Sequence, residues 1–416
     1  MTNNETAVLI AVRTGTEDID VDRSLDELSE LALTAGATPV GRMIQNRESP
    51  DKLTYLGEGK VQELVDFITA NEVDIVIADD ELSPLQVDHI SELTRIKVLD
   101  RTSLILDIFA QRAKSREGQL QVELAQLKYL MPRLKGSREE LSRLGGGIGT
   151  RGPGETKLEV DRRTYRTRIA ILRREIEDIA KNREEQRKKR RQNQIPQVSL
   201  VGYTNAGKSS LLTALTGSEA YVEDQLFATL DPLVRRFELP NKTQILLGDT
   251  VGFIRKLPHD LVAAFRATLE ELQYASLLLH VVDSTGIEYE AQIKAVESTL
   301  QSIGCDVPIL LVFSKADLLT DGDRYFINTM YPDAVLCSSK TGEGLDTLTE
   351  EIIKLAKLGK VELQLKLPYS DLNILDRLYK DCDVKSVEYD GEGLKVAAVV
   401  NMSLAESLLP YIAEEE

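Results

Sequence analysis

Between an apolar run and a helical run the chain reads Gly202-Tyr203-Thr204-Asn205-Ala206-Gly207-Lys208-Ser209, which fits the pattern G-x-x-x-x-G-K-[ST]. Residues 198–201 have the composition of a strand, and residues 210–215 that of the first turns of a helix. In this context the backbone N–H groups of the loop turn inward around phosphate oxygens. Lys208 then reaches the β- and γ-phosphates, and the Ser209 hydroxyl is placed to ligate Mg²⁺. The stretch predicts a phosphate-binding loop, with Ser210 as a further nucleotide contact.

Length and composition indicate a multidomain cytoplasmic protein. A chain of 416 residues is long enough for about three domains of ordinary size, each with its own core. No run of eighteen apolar residues occurs, and the N-terminus lacks the basic-then-apolar plan of a signal peptide. We therefore expect no membrane span, with peripheral association left open. We also expect a monomer. The three cysteines form no C-x-x-C pair, which argues against disulfide frameworks and thiolate zinc sites.

The charge of the chain is distributed unevenly. The formal net charge is −17, yet residues 101–200 contain 24 Lys and Arg against 13 Asp and Glu. The remainder of the chain is strongly acidic. A basic segment inside an acidic chain predicts a nucleic-acid partner for that segment.

Residues 1 to about 100 alternate between two patterns. Short β-branched runs at 7–12, 38–43, 74–78 and 96–99 are separated by stretches with apolar residues at helical spacing, at 25–33, 59–70 and 84–93. Strands that alternate with helices predict a small parallel α/β domain. No catalytic constellation is visible in it.

Two apolar series with steps of 4, 3, 4 and 3 residues follow. They are Leu120, Leu124, Leu127, Met131 and Leu134, and Tyr165, Ile169, Leu172, Ile176 and Ile179. Such spacing is typical of two helices that pack along a narrow seam, so we predict an antiparallel hairpin whose first helix is interrupted near Pro132. The second helix ends in the basic run 187–191, to which we assign phosphate contacts, a solvated helix face being the alternative.

The tip of this hairpin is unusually rich in glycine. Residues 145–156 read GGGIGTRGPGET, which is far longer than a helix-to-helix connection requires. Glycine permits close approach to another surface, and Arg151 supplies a planar donor for phosphate. The alternative is a disordered linker.

Four further segments follow the phosphate loop in the order expected of a nucleotide hydrolase. They are Phe227 to Pro232, Asp249 to Gly252, Ser314-Lys315-Ala316-Asp317, and Ser338-Ser339-Lys340. Thr229 and Asp249 join Ser209 as the predicted Mg²⁺ ligands, and the Gly252 N–H is predicted to contact the γ-phosphate. We expect Lys208, Thr229 and Gly252 to act on the reacting phosphate, and Phe227 to contact the nucleotide.

The last two segments predict the choice of base. Residues 314–317 are similar to the motif N-K-x-D, in which the carboxylate accepts two N–H groups that guanine offers and adenine does not. Asp317 would take that role, and the Lys315 stem would lie over the ring. The loop 338–340 is similar to an S-A-K loop that touches the base oxygen.

These segments together resemble the HflX family of translational GTPases. The matching stretches are residues 145–159, 202–209, 227–232 and 249–252, and the resemblance covers essentially the whole chain. It implies an N-terminal α/β domain, a helical hairpin, a Ras-like P-loop GTPase domain and a small C-terminal domain. It further implies GTP/GDP and Mg²⁺ as ligands, binding to the large ribosomal subunit and its RNA through residues 103–194, and dissociation of stalled or idle ribosomes.

We accordingly predict an α/β protein of four domains. Residues 1–102 form the parallel α/β domain, 103–194 the basic hairpin with its tip at 145–156, 195–359 the GTPase domain, and 360–416 a small α+β domain. The last domain is predicted from strands at 361–367, 384–388 and 394–400 and helices at 371–378 and 404–411.

Two departures from the usual motifs affect function. Ser314 replaces the asparagine of N-K-x-D, which removes an amide that braces the loop and contacts the base. Phe253 stands where Ras-like hydrolases have a water-orienting glutamine, so we expect slow intrinsic hydrolysis that a partner stimulates. Because Ser314 weakens the assignment of guanine, a nucleotide-dependent RNA-binding or helicase-like ATPase that acts on other RNAs remains the alternative.

Overall fold

The computed structural model describes thirteen stretches of the chain. They are residues 5–15, 21–134, 157–192, 195–217, 233–250, 252–254, 256, 270–286, 289–356, 360–391, 393–401, 404–405 and 408–412. The predicted glycine-rich tip and the segment of Phe227 and Thr229 lie outside these residues. Three β-sheets organise the described part of the chain.

The first sheet has the strand order β2-β1-β3-β4 and is parallel throughout. Its elements are β1 (Glu5–Arg13), α1 (Val21–Ala35), β2 (Ala37–Asn46), α2 (Glu58–Asn71), β3 (Ile75–Ala78), α3 (Pro84–Thr94) and β4 (Lys97–Asp100). Each predicted strand and helix of this region is therefore confirmed. The helix α4 (Arg101–Arg112) begins directly after β4, and its Leu104 and Phe109 are buried in the same core as β1 and α1.

The predicted hairpin is also present. Helix α5 (Arg116–Leu130) ends in a 3-10 turn at Met131–Arg133, where Pro132 interrupts the helical hydrogen bonds, and α6 (Lys157–Gln192) returns. Four of the five members of each apolar series meet in one cluster, formed by Leu120, Leu124, Leu127, Met131, Ile169, Leu172, Ile176 and Ile179. The ion pairs Arg116–Glu175 and Glu123–Arg168 run in opposite directions along the two helices, so the helices are antiparallel.

The second sheet has the order β10-β9-β8-β5-β7-β6, in which only β6 is antiparallel to its neighbour. Its strands are β5 (Gln197–Gly202), β6 (Leu233–Glu238), β7 (Gln244–Asp249), β8 (Leu277–Asp283), β9 (Ile309–Ser314) and β10 (Val335–Leu336). Its helices are α7 (Lys208–Thr216), α8 (Tyr289–Ser302), α9 (Asp321–Met330) and α10 (Leu345–Leu355). The predicted motifs follow β5, β7, β9 and β10, so parallel pairing brings them to one edge of the sheet.

The third sheet is antiparallel, with the order β11-β13-β12. It consists of β11 (Lys360–Pro368), β12 (Asp383–Asp390) and β13 (Gly393–Asn401), with α11 (Leu372–Asp381) packed on one face. At the predicted final helix the described residues include a 3-10 turn at Leu409–Tyr411. The predicted fold class, a P-loop domain with an α/β domain and a hairpin before it and a small α+β domain after it, is confirmed.

Among the residues that the structure describes, no helix is long and apolar enough to cross a membrane.

Candidate nucleotide-binding site

The phosphate loop depends on two glycines. Gly202 has φ of 150°, and a Cβ built on it would lie 2.1 Å from the Val281 carbonyl oxygen of β8, so no other residue fits there. Gly207 has φ of 85° and precedes the first turn of α7. The turn that they permit places the start of α7 at the end of β5, where the helix N-terminus favours an anion.

Lys208 is buried beneath this loop. Its ammonium group donates to the carbonyl oxygens of Gly202 and Tyr203 at 3.1 and 2.7 Å. Burial lowers the pKa of Lys208 to about 8, although the Asp249 carboxylate opposes the shift. Lys208 is thus held at the loop by neutral carbonyl acceptors. The phosphate oxygens of a nucleotide would supply an anionic partner that stabilises the charged form of its desolvated ammonium.

Ser209 and Asp249, from different elements, lie side by side. The Ser209 hydroxyl donates to Asp249 Oδ2 at 2.7 Å, and Asp249 Oδ1 accepts the N–H of Thr250 at 2.9 Å. A hydroxyl and a carboxylate are hard oxygen ligands of the kind that Mg²⁺ takes, directly or through water. These two residues therefore fit the ion, whereas the third predicted ligand, Thr229, lies outside the described residues. Their role as ligands stays a prediction.

The segment after Asp249 lies directly on the phosphate loop. Phe253 accepts a hydrogen bond from the Thr204 N–H at 2.8 Å and donates to the Gly202 carbonyl at 3.0 Å, which forms a short parallel bridge. A Cβ on Gly252 would lie 3.1 Å from Lys208 Nζ. The Phe253 ring is buried and carries no group that could orient water, as the sequence indicates.

At the base end of the site, the two predicted loops are in contact. The Ser338 hydroxyl donates to Asp317 Oδ1 at 2.6 Å and accepts the Lys340 N–H at 3.2 Å. The hydrogen bond from Ser338 lowers the pKa of Asp317, so its carboxylate stays ionised as an acceptor. Lys315 Nζ lies 2.7 Å from Asp283 Oδ2 at the end of β8. The arrangement suits recognition of the N–H edge of guanine.

The structure corrects one interpretation of Ser314. The loss of the asparagine amide does not remove the brace, because the buried Ser314 hydroxyl donates to the Ala206 carbonyl oxygen at 2.7 Å and lies 3.1 Å from that of Val282. This side chain thus ties the phosphate loop to β8. A hydroxyl so engaged has no second donor for a base.

Comparison with known proteins agrees with this geometry. Three family profiles match the chain in succession: "GTP-binding GTPase N-terminal" over residues 22–110, "GTP-binding GTPase Middle Region" over 112–190, and "50S ribosome-binding GTPase" over 197–315. The chain is 47% identical over 411 residues to the GTPase HflX of Caldanaerobacter subterraneus, a match that covers 99% of this chain and 94% of the relative. This chain belongs to the HflX family of GTPases.

Other members of the HflX family extend the match. The chain is 43% identical over 381 residues to the GTPase HflX of Escherichia coli, covering 90% of this chain and 88% of the relative. Among solved structures, SsGBP in complex with GDP is similar with a TM-score of 0.50 and 28% identity, covering 85% of this chain and 99% of that one. As a member of the HflX family with a P-loop GTPase domain, the chain is a GTP hydrolase that binds guanine nucleotide.

Contacts between this HflX GTPase domain and the N-terminal sheet were not foreseen. The Tyr203 hydroxyl of the phosphate loop donates to Glu27 Oε2 of α1 at 2.8 Å, and Lys256 reaches Asp79 and Asp80 after β3. The sequence offered two weak signs of these contacts: Tyr203 inside the phosphate-loop motif, and the acidic pair Asp79 and Asp80 at the end of a strand. Sequence spacing does not reveal which separate domains face one another.

Proposed function

We propose that this HflX GTPase binds the large ribosomal subunit in its GTP state and dissociates stalled or idle ribosomes. The observation that carries the proposal is the outer face of α6, which presents basic side chains to solvent in the same chain as a guanine-nucleotide site. The exposed basic residues are Arg162, Arg163, Arg166, Arg173, Arg174 and Lys181. The apolar face of α6 is buried against α5, and these residues lie beside that face or opposite it.

A long basic helix suits ribosomal RNA. The 36 residues of α6 span about 54 Å at 1.5 Å per residue, which is long enough to reach into a groove between RNA helices. Backbone phosphates of RNA supply the anions that arginine binds with its planar donor. The basic run 187–191 is helical, and we propose that it extends the same phosphate-binding surface.

We propose a division of labour along the chain that follows the predicted domains, 1–102, 103–194, 195–359 and 360–416. Residues 103–194 would bind ribosomal RNA, with the tip at 145–156 entering a functional centre. In the GTPase domain, Ser209, Asp249 and Thr229 would hold Mg²⁺, and Lys208 and the Gly252 N–H would contact the γ-phosphate. Because Phe253 replaces a water-orienting side chain, hydrolysis would be slow until the ribosome stimulates it. Such a protein would work as a monomer in the cytoplasm.

Sedimentation of purified ribosomes tests the proposal. With a non-hydrolysable GTP analogue, the protein should shift intact ribosomes to free subunits and comigrate with the large subunit, and GDP should produce neither effect. A variant shortened between Gly145 and Gly154 should still bind but fail to split, because most of its basic charge is retained. If this variant split ribosomes at the normal rate, the glycine-rich segment would be a connector only.

The second candidate is a nucleotide-dependent RNA-binding protein or helicase-like ATPase. Ser314 favours it, because its hydroxyl is engaged with backbone carbonyls and leaves the base one contact fewer. Competition between GTP and ATP for a fluorescent guanine nucleotide decides between the two. Displacement by ATP at the concentrations at which GTP displaces the probe would support the second candidate.

A further inference from the structure

One short loop of the N-terminal domain contacts two distant parts of the chain. The loop Asp79–Leu82 follows β3 at the carboxyl edge of the first sheet. On one side, Lys256 Nζ lies 2.7 Å from Asp79 Oδ2 and 2.5 Å from Asp80 Oδ1. On the other side, Arg133 donates to the Leu82 carbonyl oxygen at 2.7 Å and lies 3.6 Å from Glu81 Oε1.

Buried charges hold the loop in place. The Asp79 side chain is only 2% exposed, and its carboxylate lies 2.7 Å from Arg101 Nη2 and accepts the Ser24 hydroxyl at 2.7 Å. Burial alone would raise the pKa of Asp79, but the Arg101 and Lys256 cations hold it below its usual value. An ionised carboxylate at this depth requires its partners, so the ion pair with Lys256 is a firm contact between the two domains.

The position of Lys256 is linked to the nucleotide site. It stands four residues after Gly252, and Gly252 and Phe253 lie on the phosphate loop. In this arrangement the Thr204 N–H of the phosphate loop already donates to the Phe253 carbonyl oxygen. A Cβ on Gly252 would lie 3.1 Å from Lys208 Nζ, so a γ-phosphate oxygen that both the Gly252 N–H and Lys208 contact has little room unless the segment shifts. A clamp at Lys256 therefore opposes triphosphate binding more than diphosphate binding.

The other side of the loop leads to the hairpin. Arg133 belongs to the 3-10 turn that ends α5, immediately before the segment that contains the glycine-rich tip. The same end of α5 is fixed by Tyr129, whose hydroxyl donates to Asp100 Oδ1 at 2.7 Å. Asp100 precedes Arg101, the partner of Asp79. The loop Asp79–Leu82, together with Asp100 and Arg101 that support it, thus contacts both the end of α5 and the segment after Asp249.

We propose that the loop Asp79–Leu82 couples the nucleotide state of the GTPase domain to the end of the helical hairpin. Binding of GTP moves Gly252 and Phe253, which weakens the ion pairs of Lys256 with Asp79 and Asp80. Asp79 stays paired with Arg101, and the rest of the loop, Asp80–Leu82, then loosens its hold on Arg133. Coupling is reciprocal, so a change at Arg133 alters nucleotide preference although it touches no part of the nucleotide site. The proposal rests on GTP binding alone and is independent of the ribosome.

Nucleotide affinities of three variants of the full chain test the coupling. Equilibrium binding of fluorescent GDP and of a fluorescent non-hydrolysable GTP analogue gives the ratio of the two affinities. Lys256→Ala should shift this ratio towards the triphosphate by about fivefold or more, the lower end of typical coupling between sites. Arg133→Ala should shift it in the same direction. The double variant should exceed the larger single effect by little, because both changes act through one loop.

Arg116→Ala is the matched control, since it removes an exposed arginine at the opposite end of α5, whose pair with Glu175 lies outside the loop. It should leave the ratio unchanged. If Arg133→Ala unfolds the chain, as a lower thermal midpoint would show, Asp80→Asn removes a partly exposed carboxylate and should give the shift without loss of fold. Equal effects of Arg133→Ala and Arg116→Ala, or fully additive effects of Arg133→Ala and Lys256→Ala, would overturn the coupling.

Discussion

At the scale of single residues, the nucleotide site shows that a serine can make a bracing hydrogen bond that the usual motif assigns to an asparagine. Ser314 supplies by its hydroxyl the brace that an asparagine amide would make, and it does so because β9 ends next to the phosphate loop. Asp317 retains the carboxylate that would accept the N–H groups of guanine, and the Ser338 hydroxyl orients this carboxylate. Recognition of the base should therefore depend on Asp317 more than on Ser314.

Asp317→Asn tests this directly. The change replaces an acceptor by a donor, so GTP should bind about 10- to 100-fold more weakly, as expected for loss of hydrogen bonds to a charged group. Xanthosine triphosphate, which carries a carbonyl at that position, should bind better than it does to the native chain. Asp321→Asn, an exposed change in the first turn of α9, is the control. Unchanged competition by GTP, ATP and XTP would remove Asp317 from the site.

The pKa of Lys208 predicts a pH dependence of nucleotide binding. Its pKa is lowered to about 8, and the phosphates of a bound nucleotide raise it again, so binding takes up a proton above that pH. The affinity for GTP should be constant below pH 7 and fall about tenfold by pH 9. Calorimetry in two buffers of different ionisation enthalpy should show proton uptake near pH 8.5. An affinity that stays constant to pH 9.5 would contradict the shifted pKa.

At the scale of elements, β8 is the strand on which the GTPase domain is built. It lies between β5 and β9, and its residues are buried along nearly the whole length. His280 sits in its centre, only 1% exposed, where neither ring nitrogen has a hydrogen-bond partner among the described residues. Its ring is tolerated because it stays neutral.

His280 should make the domain sensitive to acid. Burial, and next the Lys208 cation, lower its pKa from 6.5 to about 4. The unfolded chain therefore takes up the proton first as the pH falls, and the stability present above pH 6.5 is lost between that pH and 4. At pH 5 the loss should be about 2 kcal/mol relative to neutral pH. Urea unfolding of His280→Leu should show a smaller difference between pH 7 and pH 5, whereas His89→Gln, at a partly exposed position, should behave as the native chain.

At the scale of the whole molecule, charge and nucleotide chemistry occupy different parts of the chain. The basic excess lies within residues 101–200, and the nucleotide motifs lie beyond residue 202. Among the described residues, the loop Asp79–Leu82 and the pair of Tyr203 with Glu27 make polar contacts between the nucleotide-binding domain and the N-terminal domain. Ribosome binding and nucleotide binding should therefore be separable by mutation.

Replacement of Arg187, Lys188, Arg190 and Arg191 by alanine tests this separation. Four lost phosphate contacts should reduce the slope of log affinity against log salt by roughly 3, since each contributes about 0.7 to 0.9. Binding of GTP should be unchanged. Replacement of four exposed lysines elsewhere, Lys242, Lys294, Lys354 and Lys385, is the matched control and should leave the ribosome affinity nearly unaltered. An equal loss of slope in both variants would show that the basic run has no special role.

The sequence by itself determined the elements and the motifs. Apolar spacing predicted β1 to β4, the paired helices α5 and α6, and the three strands of the C-terminal domain, because periodicity along the chain directly reports which face of an element is buried. The loop at 202–209 and the motifs after β7, β9 and β10 were predicted for a similar reason, since each requires particular residues at fixed spacing next to a strand end.

Only the tertiary structure decided which distant side chains meet. The Ser314 brace, the pair of Tyr203 with Glu27, and the contacts of Lys256 with Asp79 and Asp80 join residues that are 108, 176 and about 177 positions apart. No periodicity links such positions, because their distance is set by the packing of whole sheets. The packing also sets the protonation states of these groups. Burial lowers the pKa of Lys208. Asp79 stays ionised despite its burial because cations from other elements reach it.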